Sequence, residues 1–194
     1  GGSLQLIDAT GAFNKGAAAA AAAGASADLA LITSVGAQAR GRRLLNDLFG
    51  TDFSTDASDG GAWLAASSSA PSVVALATEG SSAEAEMRDG ADAGKLTSFS
   101  LALADAVLVH TPSTPSGAQI KASYEAIFAQ HQAVKDAAPA KVLLVHVGEG
   151  EEKAVRGACA EAWEAVAAAT GQPGAAFDER FELECVALPH RTIE

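Results

Sequence analysis

Five short apolar runs, each cut off by turn residues, limit this chain more than any other feature. Leu29–Val35 ends at Gly36, Ser72–Ala77 is closed by Glu79 and Gly80, and Ala106–His110 is closed by Pro112 and Pro115. Lys141–Val147 and Glu184–Leu188 are the fourth and fifth. Nearly unbroken apolar strands between turn signals are what a parallel sheet buried on both faces shows. The segments between them carry helical spacing instead: Leu44–Phe49, Ser98–Ala104, Ala118–Ala138 and Glu151–Thr170. In the third, Ile120, Tyr124, Ile127, Phe128 and Val134 share one stripe; in the fourth, Val155, Ala158, Trp163 and Val166 do. Strands alternating with helices predict an α/β fold with a doubly wound, mostly parallel sheet, helices on both faces and right-handed crossovers. The expected strands are Leu29–Val35, Val73–Ala77, Ala106–His110, Val142–Val147 and Cys185–Leu188. Ala17–Ala23 has high helix propensity but little side chain to bury, and is expected as a thin helix, the alternative being a low-complexity stretch.

A chain of 194 residues fits one domain. Gly1–Ser3 reads as a tag remnant, and residues 4–194 as a domain of a longer protein. Although 48% of residues are hydrophobic, no apolar stretch reaches the ~18–20 residues of a membrane helix, so no membrane contact by this domain is expected. A net charge of −11 opposes binding to a phosphate backbone and argues against nucleic acid. Cys159 and Cys185 show neither metal-ligand spacing nor a disulfide pattern, which suits a cytosolic setting and predicts no metal.

In such sheets ligands meet the loops beyond the carboxyl ends of the strands. The first loop and the helix after it, Gly36-Ala37-Gln38-Ala39-Arg40-Gly41-Arg42-Arg43-Leu44-Leu45-Asn46 continued to Phe53, resemble the P-loop region of the root-hair-defective/Sey GTPases, relatives of the atlastins in the dynamin superfamily. The resemblance extends over Leu4–Asn14, Trp63–Ala65, Ala102–Val109 and Glu184–Leu188, essentially the whole chain from Leu4. It implies a P-loop GTPase-like fold. It also implies that the strands of Gly36 and Gly80, which once converged on phosphate, are neighbours at the centre of the sheet.

The chemistry of that family does not carry over. A working P-loop cradles phosphates with backbone N–H groups, neutralises them with Lys and holds magnesium with a Ser/Thr hydroxyl. Here the Gly36-to-Gly41 spacing is kept, but Arg42-Arg43 stands where the family has Lys-Ser-Thr. Ala77 replaces the magnesium-site Asp ahead of the γ-phosphate-sensing Gly80. Asp59 falls at the magnesium-binding Thr of the first switch, and Gly148-Glu149 replaces the Arg-Asp pair that reads guanine. Four altered loops on one ligand imply a pseudo-GTPase: no nucleotide or metal cofactor and no catalytic residue. At Gly36, Gly41, Arg42, Arg43, Asp59, Ala77, Gly80, Gly148 and Glu149 only a vestige of the site is expected. Arg40, Arg42 and Arg43 read as a solvated basic loop, or as a residual anion site near the Gly41 amide. The expected role is a non-catalytic interaction or structural module, monomeric in isolation, whose partner is a protein or a neighbouring domain. The alternative is a divergent GTPase with weak nucleotide binding, of the family that fuses endoplasmic reticulum membranes from their cytosolic face.

No nucleophile elbow is present, and Ser113 and Ser116 sit in a Pro-rich turn. His110, His146, Cys185 and Trp163 read as structural residues of strand or helix.

Overall fold

The fold is described from a computed structural model, which covers residues 2–8, 10–23, 29–36, 38–54, 61–70, 72–78, 91–111, 115–148, 151–172 and 174–187. Seven strands form one sheet: β1 (Leu4–Ile7), β2 (Ala30–Gly36), β3 (Ala62–Ala66), β4 (Val73–Thr78), β5 (Ala106–His110), β6 (Val142–Val147) and β7 (Phe181–Val186), in the spatial order β1-β3-β4-β2-β5-β6-β7. From β4 to β7 all neighbours are parallel, while β3 runs antiparallel to β4 and β1 antiparallel to β3. The α/β sheet is thus mixed but mostly parallel. The strand of Gly36 and the strand leading to Gly80 are parallel neighbours, with Ala30 paired to Val73 and Thr33 to Leu76.

Among the described residues, five α-helices accompany it: α1 (Lys15–Ala23), α2 (Gln38–Phe49), α3 (Ala91–Leu103), α4 (Gly117–Val134) and α5 (Glu152–Ala169). The poly-Ala segment is helical, and Ala17 packs with Leu6, Leu64 and Leu76. The α4 start follows from Ser116, whose hydroxyl accepts the Gln119 N–H while the Gln119 side chain accepts the Ser116 N–H, a reciprocal cap. The α5 end follows from Gly171, whose φ of 74° lets Gln172 N–H reach back to Ala167 O at 2.8 Å.

Alternation along the strands divides the core. Val107, Val109 and Leu144 face α3, α4 and α5, where Phe128, fully buried, meets Phe181 at 4.9 Å and Trp163 at 5.5 Å between ring centroids. The Trp163 indole N–H donates to Ala175 O at 2.7 Å. The other face carries Ala75, Ala77 and Leu108 under Leu45 of α2. Truncating an aromatic such as Phe128 would cost about 3–5 kcal/mol.

Two expectations need correction. The last strand is Phe181–Val186, beginning four residues before the expected Cys185, while Leu188 lies outside the described residues: as an edge strand it alternates buried Phe181 and Leu183 with exposed Glu182 and Glu184, a pattern unlike the continuous runs of the interior strands. Residues 40–43 are not a basic loop, because α2 already begins at Gln38.

Candidate functional site

The carboxyl ends of β2, β4, β5 and β6 face one end of the sheet, and the sequence-marked positions divide among them. Gly36 closes β2, and one residue later α2 starts at Gln38. In a helix the first amides that lack an intrahelical acceptor lie in the first turn, so the amide of Gly41 falls within the backbone ladder of α2 rather than in an open loop. The Cα of Gly41 is pressed on side chains from below: a methyl there would stand 2.5 Å from Ser34 Oγ and 3.2 Å from His110 Nε2. Ser34 and His110 are both buried, and the register that pairs Gly36 with His110 brings them under the helix.

Arg42 is not solvated. Its side chain is 5% exposed, and Nη1 donates to Ser54 O at 2.9 Å. Next to it Asn46 Nδ2 donates to Phe53 O at 2.9 Å, and Asn46 Oδ1 accepts from Thr51 Oγ1 and Phe53 N–H. The guanidinium and the amide therefore pin residues 51–54 along one flank of α2. Arg43 is exposed.

Ala77 is 1% exposed and sits in the apolar layer under α2, paired with Trp63. A methyl at this place contributes packing where the resemblance expects a carboxylate. Asp59, Gly80 and Glu149 lie outside the described residues. Gly148 follows β6, with its N–H toward Val186 O at 3.4 Å.

Around Gly148 a buried polar group forms: His146, read from sequence as a structural residue, meets Tyr124 of the α4 stripe, and Thr111, which sequence reasoning did not name, lies beside them. Tyr124 Oη and His146 Nδ1 are 3.1 Å apart. Burial raises the phenol pKa and lowers that of the imidazole, so both are neutral. Giving the phenol O–H its acceptor at Nδ1 assigns the imidazole proton to Nε2. A methyl at Gly148 would stand 2.8 Å from Thr111 Oγ1 and 3.5 Å from His146 Nε2, two buried atoms with no hydrogen-bond partner. The signal that could have found them is position, since Thr111 directly follows His110 at the end of a central strand. Among the described residues no group of three or more His, Cys, Asp or Glu is placed to hold a metal ion.

Cys159 is buried in the core, which pushes its thiol up to about 12, and Cys185 is a half-buried edge-strand thiol whose pKa burial also raises. Neither has the lowered pKa of a reactive cysteine. Compared with known proteins, the chain matches no family model and no curated protein.

Proposed function

We propose that this chain is a degenerate GTPase domain of the root-hair-defective/Sey type, kept as a protein-interaction or structural module without nucleotide turnover. The reading rests on the residues that carry the resemblance, and the sheet order is in keeping with it. The observation that carries the loss of nucleotide binding is the geometry of α2. The helix starts at Gln38, Gly41 is packed on Ser34 and His110, and Arg42 is directed to Ser54 O. A P-loop wraps phosphate in the amides between its two glycines and aims a cation at it. Here α2 takes up all but one of the residues between Gly36 and Gly41, so only its first-turn amides stay free, and the Arg42 guanidinium donates to the chain's own Ser54 carbonyl.

Contacts to charged groups contribute about 1.5–3 kcal/mol each, so losing or distorting three, with one recovered, lowers affinity by about two to four decades. No described helix is long and apolar enough to cross a membrane. A cytosolic domain, in a full-length protein at the cytosolic face of the endoplasmic reticulum, is the placement that goes with this reading. Calorimetry with GTP and magnesium is the test. The expected result is no heat of binding at millimolar nucleotide; a dissociation constant of about ten micromolar or tighter would favour the divergent GTPase instead.

A further inference from the structure

The carboxyl ends of β5 and β6 bring together two polar atoms that no protein group satisfies. Thr111 Oγ1 and His146 Nε2 belong to side chains 7% and 2% exposed, and neither atom has a hydrogen-bond partner. The register explains why they meet. Val109 pairs with His146 and His110 with Val147, so Thr111 and Gly148 follow side by side where the two strands end. Both orphan atoms converge on one spot, the place a methyl on Gly148 would take, 2.8 Å from Thr111 Oγ1 and 3.5 Å from His146 Nε2. Apart from the residues flanking Gly148, the next atom is Thr111 N at 4.0 Å, so no other side chain crowds that spot. With the Tyr124 hydroxyl donating to Nδ1 at 3.1 Å, the neutral ring carries its proton on Nε2, aimed at the same place. Burying an unsatisfied polar group is costly, and native folds satisfy nearly all of them with protein or with water.

We propose that one internal water molecule is held beside Gly148, accepting from His146 Nε2–H and bonded to the Thr111 hydroxyl, so that a hydrogen-bonded relay runs from Tyr124 on α4 through β6 to the end of β5. The proposal goes beyond the pseudo-GTPase reading and does not rest on it. Three features select water. Both orphan atoms are shut off from the surface, so a ligand with a larger body has no opening through which to reach them. A neutral imidazole N–H and a hydroxyl offer hydrogen bonds without charge, which favours neither an anion nor a cation. A buried water makes about two to four hydrogen bonds, and two are aimed here. Gly148 has its own part in the arrangement: any other residue would put its Cβ between the two atoms and crowd the Thr111 hydroxyl. The water thus does what a polar side chain does elsewhere, joining the ends of two strands to the helix packed over them.

The test is nuclear magnetic resonance on the whole chain, with urea unfolding of two variants. In the unmodified protein the His146 ring should be protonated at Nε2, and its Hε2 should show a cross peak to water with the sign of a water that tumbles with the protein. Thr111→Ser, which keeps the hydroxyl, should retain that cross peak, whereas Thr111→Val, which has the same shape without the hydroxyl, should lose it. The urea midpoint of Thr111→Val decides between a bridged hydroxyl and an orphaned one. If water bridges the two groups, valine leaves the water and Nε2–H short of a partner and the midpoint falls. If Oγ1 is simply orphaned, valine removes a buried unsatisfied hydroxyl and the midpoint rises or stays level. A midpoint that rises or stays level, the absence of the water cross peak in the unmodified protein, or an Hε2 that exchanges with bulk solvent too fast to be detected would each overturn the proposal. The resonance measurement needs no variant, so it decides even where a substitution unfolds the chain.

Discussion

Arg42 shows how one residue reverses the meaning of a motif. By sequence it is a cation at the position of a P-loop lysine. In the fold it is a buried brace, and its hydrogen bond to Ser54 O is the kind whose loss costs about 1.5–3 kcal/mol, with further loss from the packed stem. Arg42→Ala should lower the urea midpoint accordingly, and Arg42→Lys should recover part of the stability while gaining no heat on GTP titration. A lysine variant that bound GTP would show that the fold, and not only the residue, had kept the site. His131 offers a second residue-scale prediction. It is 1% exposed, packs on the Phe181 ring at 4.7 Å between centroids, and neither ring nitrogen has a hydrogen-bond partner. Burial first, and the nearby Arg180 second, lower its pKa from 6.5 to about 4. Between those values the unfolded chain binds a proton that the folded chain refuses, so stability falls as pH drops through that window and is level above it. The loss attributable to His131 is about 3 kcal/mol, and His146, whose pKa burial also lowers, adds in the same direction. Denaturation at a series of pH values should therefore show a slope that His131→Phe reduces; an unchanged slope would count against this assignment.

At the scale of elements, the β2–α2 junction decides most. Gly41 lies in a helix, where Ala is favoured by about 1 kcal/mol, yet a methyl would stand 2.5 Å from Ser34 Oγ in a buried layer, and overpacking costs about 1–3 kcal/mol. Gly41→Ala should destabilise by about 1 kcal/mol, and Ser34→Ala in the same chain should turn it neutral or favourable; a simple sum of the single effects would argue that the two do not touch. This junction also marks the limit of what could be read in advance. Four of the five parallel strands, β2, β4, β5 and β6, were legible because each lies between two neighbours and carries a nearly unbroken apolar run. The edge strand β7 was placed a few residues late because its Glu182 and Glu184 face out, and β1 and β3 were recognised as segments but not as strands since four or five residues give too little pattern. The length of α2 was hidden too: Gln38, Ala39 and Arg40 are good helix formers, but the Gly36-to-Gly41 spacing suggested a loop. Of the strand-end positions, Ala77 and Gly41 could be named from sequence, while the burial of Arg42 and the Tyr124–His146 pair depend on contacts between residues distant in the chain.

For the whole molecule, the prediction that brings these arguments together is association state. In the family that the sequence resembles, GTPase domains pair across their nucleotide faces, and a ligand can favour the paired form only through a difference in affinity between the two states. On the pseudo-GTPase reading proposed above the domain takes up no nucleotide, so no ligand provides that difference. Pairing driven by charge is also opposed, because two copies of −11 repel each other, and the repulsion grows as salt is lowered. The domain should therefore sediment as a monomer at micromolar concentration, in low and in moderate salt alike, with and without a non-hydrolysable GTP analogue. A monomer in every arm is the expected outcome. A dimer that tightens with the analogue would restore the nucleotide face as a working surface.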